Sequence, residues 1–174
     1  MTLRVEVAVS NDAAALAEVA AITFPLACPP SAVAGDIEDF IATNLSTRCF
    51  EEYLADPDRR VFTAVDDGSI IGYAILARGV GAEIAGCVES RPAAELSKMY
   101  VLPDWHRSGA AGALMEAAIS WAAAQHVRAL WLGVNQNNSR AQRFYRKHGF
   151  DVTGTRTFRV GASLENDFVM VRGV

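Results

Sequence analysis

The stretch "ELSKMYVLPDWHRSGAAGALM", Glu95 to Met115, runs from an alternating apolar segment through a proline turn into small residues and then an amphipathic pattern. The alternation predicts a strand over Glu95–Val101, and the later apolar spacing predicts a helix over Gly109–Gln125. Ser108, Gly109, Ala110, Ala111 and Gly112 stand where the strand gives way to the helix. A helix start carries about four unpaired N–H groups and a partial positive charge, so small side chains there let a phosphate come close. The same residues equally suit a tight turn and close packing of helix on sheet. Neither G-x-x-x-x-G-K-[ST] nor G-x-G-x-x-G fits this segment, which excludes a triphosphatase loop and a dinucleotide fingerprint.

Outward from this unit, Arg4–Val9 reads as a strand, and "SND" at residues 10–12 offers caps for an alanine-rich helix to about Thr23. "FPLACPP" reads as a break. Two short helical patterns lie between Gly35 and Ala55, the second capped by Ser46 or Thr47. Asp67-Gly68, between two β-prone runs, signals a hairpin. Residues 79–93 read as a loose connection. A buried strand over Ala129–Val134, a helix over Ser139–His148 stopped by Gly149, and strands over Phe150–Phe158 and Asn166–Arg172 complete the chain. This order predicts a single domain over residues 1–174 of the α/β (α+β mixed) class, with a mixed sheet, helices on both faces, and its parallel part in residues 95–134.

A chain of 174 residues can bury about 70% of its unfolded surface without staples. Hydrophobic residues make up 51% and charged residues 21%, the balance of a globular protein. The formal charge is −4 and no dense Lys/Arg run occurs, so nucleic acid is not expected as a partner. Cys28, Cys49 and Cys87 form no C-x-x-C pair, which fits a reducing compartment and argues against a disulfide framework or a metal site. The N-terminus does not read as a signal peptide, and no run of about 18 apolar residues occurs. A cytoplasmic location without membrane contact is therefore expected.

The second informative stretch is "NQNNSRAQRFYRKHGF", residues 135–150. At about 100° per residue, Asn138, Ala141, Tyr145 and His148 share one stripe and Phe144 lies on the next. Asn138 suits an N-cap, and Tyr145 suits a core aromatic with its hydroxyl at the rim. Together the two stretches, about 30 residues apart, resemble the acyl-CoA-binding motif of the GNAT superfamily of N-acyltransferases and the N-x-x-A-x-x-F-Y-x-x-x-G-F segment that follows it.

The resemblance implies a mostly antiparallel sheet of six to seven strands and acetyl-CoA as cosubstrate, with no metal. It implies that backbone N–H groups from His106 and Arg107 through Ser108, Gly109, Ala110, Ala111 and Gly112 cradle the pyrophosphate. Met99, Tyr100 and Val101 would pair with the pantetheine arm, and Asn138, Ala141, Phe144 and Tyr145 would lie near the pantetheine and thioester sulfur. His106 departs from the Gln or Arg that usually opens the turn, and Ala111 from the usual second Gly; the backbone donors survive both changes. "ELSKMYVLP", "TFRVGASLENDFVM" and "LADPDRRVFTAVDDGSIIGYAIL" are also similar to the bacterial PaiA-type polyamine acetyltransferases. The family likeness admits a homodimer.

The implied reaction is direct attack of an amine on the thioester in a ternary complex. An amine is mostly protonated at pH 7, so a base must act first. Glu95, opening the strand beside the thioester, is the candidate base; it also reads as an ordinary pairing carboxylate. N–H groups at Met99–Val101 would hold the oxyanion, and Tyr145 is the candidate acid for the thiolate. The acceptor is then a primary amine, either a polyamine such as spermidine or spermine, another small amine, or a protein N-terminus. A catalytically weak acyl-CoA-binding module is the reading from another class.

Overall fold

The computed structural model describes residues 2–174. The strands are β1 (Arg4–Val7), β2 (Arg59–Asp66), β3 (Ser69–Arg78), β4 (Ala93–Val101), β5 (Ala129–Asn135), β6 (Asp151–Val160) and β7 (Ser163–Gly173). The helices are α1 (Ala13–Ala27), α2 (Ala34–Asn44), α3 (Thr47–Ala55), α4 (Ala110–Ala124) and α5 (Ser139–Lys147). The seven strands form one sheet in the order β1-β2-β3-β4-β5-β7-β6. Every neighbouring pair is antiparallel except β4–β5. The expected mixed sheet, its strand number and the place of its parallel step are all present.

Each face of the sheet carries its own core. On one, Ile71, Ala74 and Leu96 pack against Leu114, Met115 and Ala118 of α4, with Ala141, Phe144 and Tyr145 of α5 alongside. On the other, Val61, Tyr73 and Ile75 pack against Leu16 and Phe24 of α1 and Phe50 of α3. Leu16 and Leu114 are completely buried, and truncating either to alanine would cost about 2–5 kcal/mol.

Three local expectations need correction. Helix α1 does not break at "FPLACPP" but runs through Pro25 to Ala27. The stop is set by Pro29, whose ring forces the preceding Cys28 into extended backbone (ψ 147°). Strand β1 ends at Val7 and Ser10–Asp12 form a 3-10 turn; Asp12 stands at the N-cap of α1 as expected, but its carboxylate reaches back to the Val9 N–H at 2.8 Å instead of capping the helix. Residues 79–93 are less loose than expected, since Ile84 and Val88 are buried under Trp131 and Val169. Ser46 does cap α3, accepting from the Cys49 N–H at 3.2 Å.

Candidate active site

Pairing between β4 and β5 covers three positions, Ala93–Ala129, Ala94–Leu130 and Glu95–Trp131, and then stops. Beyond it β4 continues to Val101 along β3, and β5 continues to Asn135 along β7. The sheet therefore opens into a gap whose β4 bank, residues 96–101, has no strand on its β5 side. Ser97 is bulged, the register stepping from Leu76–Leu96 to Ile75–Lys98. Leu96, Met99 and Val101 face the α4 side, whereas Tyr100 faces α1 and α3.

At the open end of the gap the chain makes a 3-10 turn over Pro103–Trp105 and enters α4 through Gly109, whose φ is +89°. That left-handed backbone is open to glycine without strain. The Ala110 N–H is taken by Ser108 Oγ at 3.2 Å and its side chain is buried, so Ala110 serves the turn's own packing. Among the described residues, the N–H groups of Arg107, Gly109, Ala111 and Gly112 have no acceptor. An added Cβ on Gly112 would meet nothing within 4 Å, so its small size answers to no packing demand. Beside the turn lies a depression of about 620 Å³ lined by Pro103, Asp104, His106, Arg107 and Arg140. Unpaired amides, the positive end of α4 and the Arg107 and Arg140 guanidiniums have the chemistry that suits an anion.

Helix α5 approaches the gap from the β5 side. Asn138 caps it, its Oδ1 accepting from the Ala141 N–H at 3.1 Å. Buried Gln142 donates to the carbonyls of Asn135 and Gln136, at 3.1 and 3.0 Å, and so fixes the end of β5 against α5; this residue escaped the sequence reading. Tyr145 packs edge-on against Phe144 and Phe150, and burial pushes its phenol up to about 12. Burial, and secondarily the nearby Tyr145 phenol, raise Tyr100 as well.

On the α1–α3 side of the gap, Glu95 lies 3.7 Å from the Arg156 guanidinium, which also lies 3.4 Å from Asp167. Arg156 stacks over Trp131 at 5.6 Å and Phe158 at 5.9 Å. It fills the space where a Cβ on Gly133 would stand. Burial raises the Glu95 carboxyl above its ordinary range, opposed by Arg156, Lys98 and Arg59. Burial likewise raises Asp167 and lowers Lys98. Arg156, Asp167 and Lys98 were missed in sequence, where only Gly133, amid the bulky residues of β5, hints at a close approach. The arrangement offers an anion cradle, an unpaired strand edge, and a partly desolvated carboxylate and phenol beside one gap.

Residues 27–150 match the model of the Acetyltransferase (GNAT) family. An uncharacterized N-acetyltransferase of Mycobacterium tuberculosis strain H37Rv is 53% identical over 162 residues, spanning 93% of this chain and 97% of that protein. The chain belongs to the GNAT family and is an N-acetyltransferase. Its fold is similar to that of the PaiA N-acetyltransferase from Thermoplasma acidophilum, solved in complex with coenzyme A (TM-score 0.82, 22% identity, 100% of both chains). It is also similar to the ribosomal-protein-S18-alanine N-acetyltransferase from Escherichia coli (TM-score 0.68, 20% identity, 99% of this chain and 94% of that one). No helix among the described residues is long and apolar enough to cross a membrane.

Proposed function

We propose that the protein transfers the acetyl group of acetyl-CoA to a small primary amine by direct attack within a ternary complex. The observation that carries this reading is the interrupted β4–β5 pairing, with four unpartnered amides at its mouth. The amides of Arg107, Gly109, Ala111 and Gly112, with His106 and Arg140 beside them, hold the diphosphate. The free edge of Met99–Val101 takes the place of a ladder partner for the pantetheine amides, and one of its N–H groups receives the developing oxyanion.

The amine nitrogen forms its bond to the thioester carbonyl carbon, and its surplus proton passes to Glu95, directly or through one water. The C–S bond then breaks and the sulfur leaves as thiolate, to be protonated to the free thiol. A phenol at about 12 facing a thiol near 8.5 makes full proton transfer uphill by roughly 5 kcal/mol. Tyr145 therefore assists by hydrogen-bonding the leaving sulfur or by concerted transfer. A polyamine such as spermidine is one acceptor of this class, supported by the likeness to the PaiA fold.

The test is thiol release from acetyl-CoA across a panel of amines. Release that depends on the amine supports the reading. Coenzyme A that binds, raising the melting temperature by the equivalent of about 2.7 kcal/mol at 100 times its dissociation constant, but is never released from its acetyl form by any amine, overturns it.

A further inference from the structure

Side chains three apart on a regular strand point to opposite faces. The bulge at Ser97 cancels that alternation, so Glu95 and Lys98 share the α1–α3 face of β4. Their charges feel each other, Glu95 being the main acid acting on Lys98. The strand thus presents a carboxylate and an ammonium side by side on the floor where the acceptor must arrive.

The cations of this floor are not equally provided for. Arg156 has Glu95 and Asp167. Arg59 has Asp56, at 3.1 Å. Lys98 has no carboxylate within 4 Å and no hydrogen-bond acceptor among the described residues, and its Nζ lies 6.0 Å from the centre of the Tyr53 ring. Its other charged neighbours are Arg59 and Arg156, both positive. An ammonium with two like charges nearby and no carboxylate in contact is free to take an anionic group from a ligand. With Arg156 and Arg59 matched by carboxylates, Lys98 is the cation left over, and a polyamine's second ammonium would only repel it. A molecule with an amine at one end and a carboxylate at the other meets Glu95 and Lys98 with opposite charge at both points.

Resting on the acetyl-transfer reading above, we infer that the acceptor is an amine that also carries a carboxylate, an amino acid or ω-amino acid, and that Lys98 is its carboxylate ligand. The amine end lies toward Glu95, which takes the proton, and the carboxylate end lies toward Lys98, which fixes the acceptor's direction along β4.

Matched pairs differing only by the carboxylate test this: ornithine against putrescine, and lysine against cadaverine. The carboxylated member of each pair is expected to show kcat/KM greater by roughly tenfold, the scale of one charge-assisted contact. Lys98→Met should erase the preference while leaving the affinity for coenzyme A unchanged, and Lys98→Arg should keep it. Diamines turned over as well as or better than the amino acids overturn the inference and leave acetyl transfer standing, as does a preference that survives in Lys98→Met. Absence of thiol release with every amine overturns the transfer reading and this inference together.

Discussion

Arg140 and His106 are joined across the mouth of the gap: Arg140 Nη1 lies 3.3 Å from His106 Nδ1, and His106 Nε2 lies 2.8 Å from the Val101 carbonyl. Arginine can only donate, so Nδ1 accepts, and the Nε2–H donates to Val101. A neutral imidazole in one tautomer satisfies both bonds. The residue that departs from the usual Gln or Arg thus ties the end of β4 to a cation on α5. Arg140→Ala and His106→Ala should each weaken coenzyme A binding about three- to tenfold, with kcat for bound acetyl-CoA unchanged. Because they act as one unit, the double variant should be little worse than either single one. Calorimetric titration of the four proteins checks this, and fully additive losses would refute the coupling.

Gly109 carries the left-handed backbone that aims the turn's amides. No atom lies within 4 Å of an added Cβ, so Gly109→Ala is opposed by conformational strain alone. That strain is about 1–2 kcal/mol, and a domain of this size should lose roughly 2–8 °C in melting temperature. The loss should be larger in the presence of coenzyme A, since a relaxed turn misplaces the N–H groups.

Glu95 accepts a proton only when ionised, and burial lifts its carboxyl above the ordinary range. The rate should therefore fall with decreasing pH along a limb displaced to higher pH than an exposed carboxylate would give. Glu95→Gln should remove that limb and lower kcat/KM by roughly 100-fold. Gly133→Ala drives the Arg156 guanidinium from its place. It thereby weakens the strongest influence holding the Glu95 carboxyl down, so the acid limb should move further upward in pH. A limb that stays put would show that Arg156 does not set it.

Tyr145→Phe removes a hydroxyl but no packing surface. Turnover should fall about 10- to 100-fold with affinity for coenzyme A unchanged. With its phenol at about 12, Tyr145 stays protonated up to pH 10, so any loss of activity in that range must come from another group. Parallel pH profiles of the two proteins on the basic side check the assignment.

Features written in neighbouring residues were legible in the sequence. Asp67 and Gly68 have φ of +47° and +82°, as a tight hairpin requires, and Asn138 sits at its helix cap. Proline was misjudged because Pro25, which lacks an N–H, removes one rung of α1 without ending it, while Pro29 acts through the residue before it. The acceptor floor was invisible for another reason. Glu95 and Arg156 lie 61 positions apart and meet only because β6 pairs with β7 and β7 with β5. Lys98 reaches that floor only through a one-residue bulge, which no hydrophobic pattern announces.

Among the described residues, three paired positions and one further backbone bond, from the Arg128 N–H to the Pro92 carbonyl at 2.7 Å, stitch β4 to β5, so the sheet is effectively two ribbons sharing a short seam. A guest whose own amides bridge both banks would act as a rivet below that seam. The exchange of backbone hydrogens at Leu96–Val101 should then slow on binding, and the two ribbons should come to melt as one cooperative body.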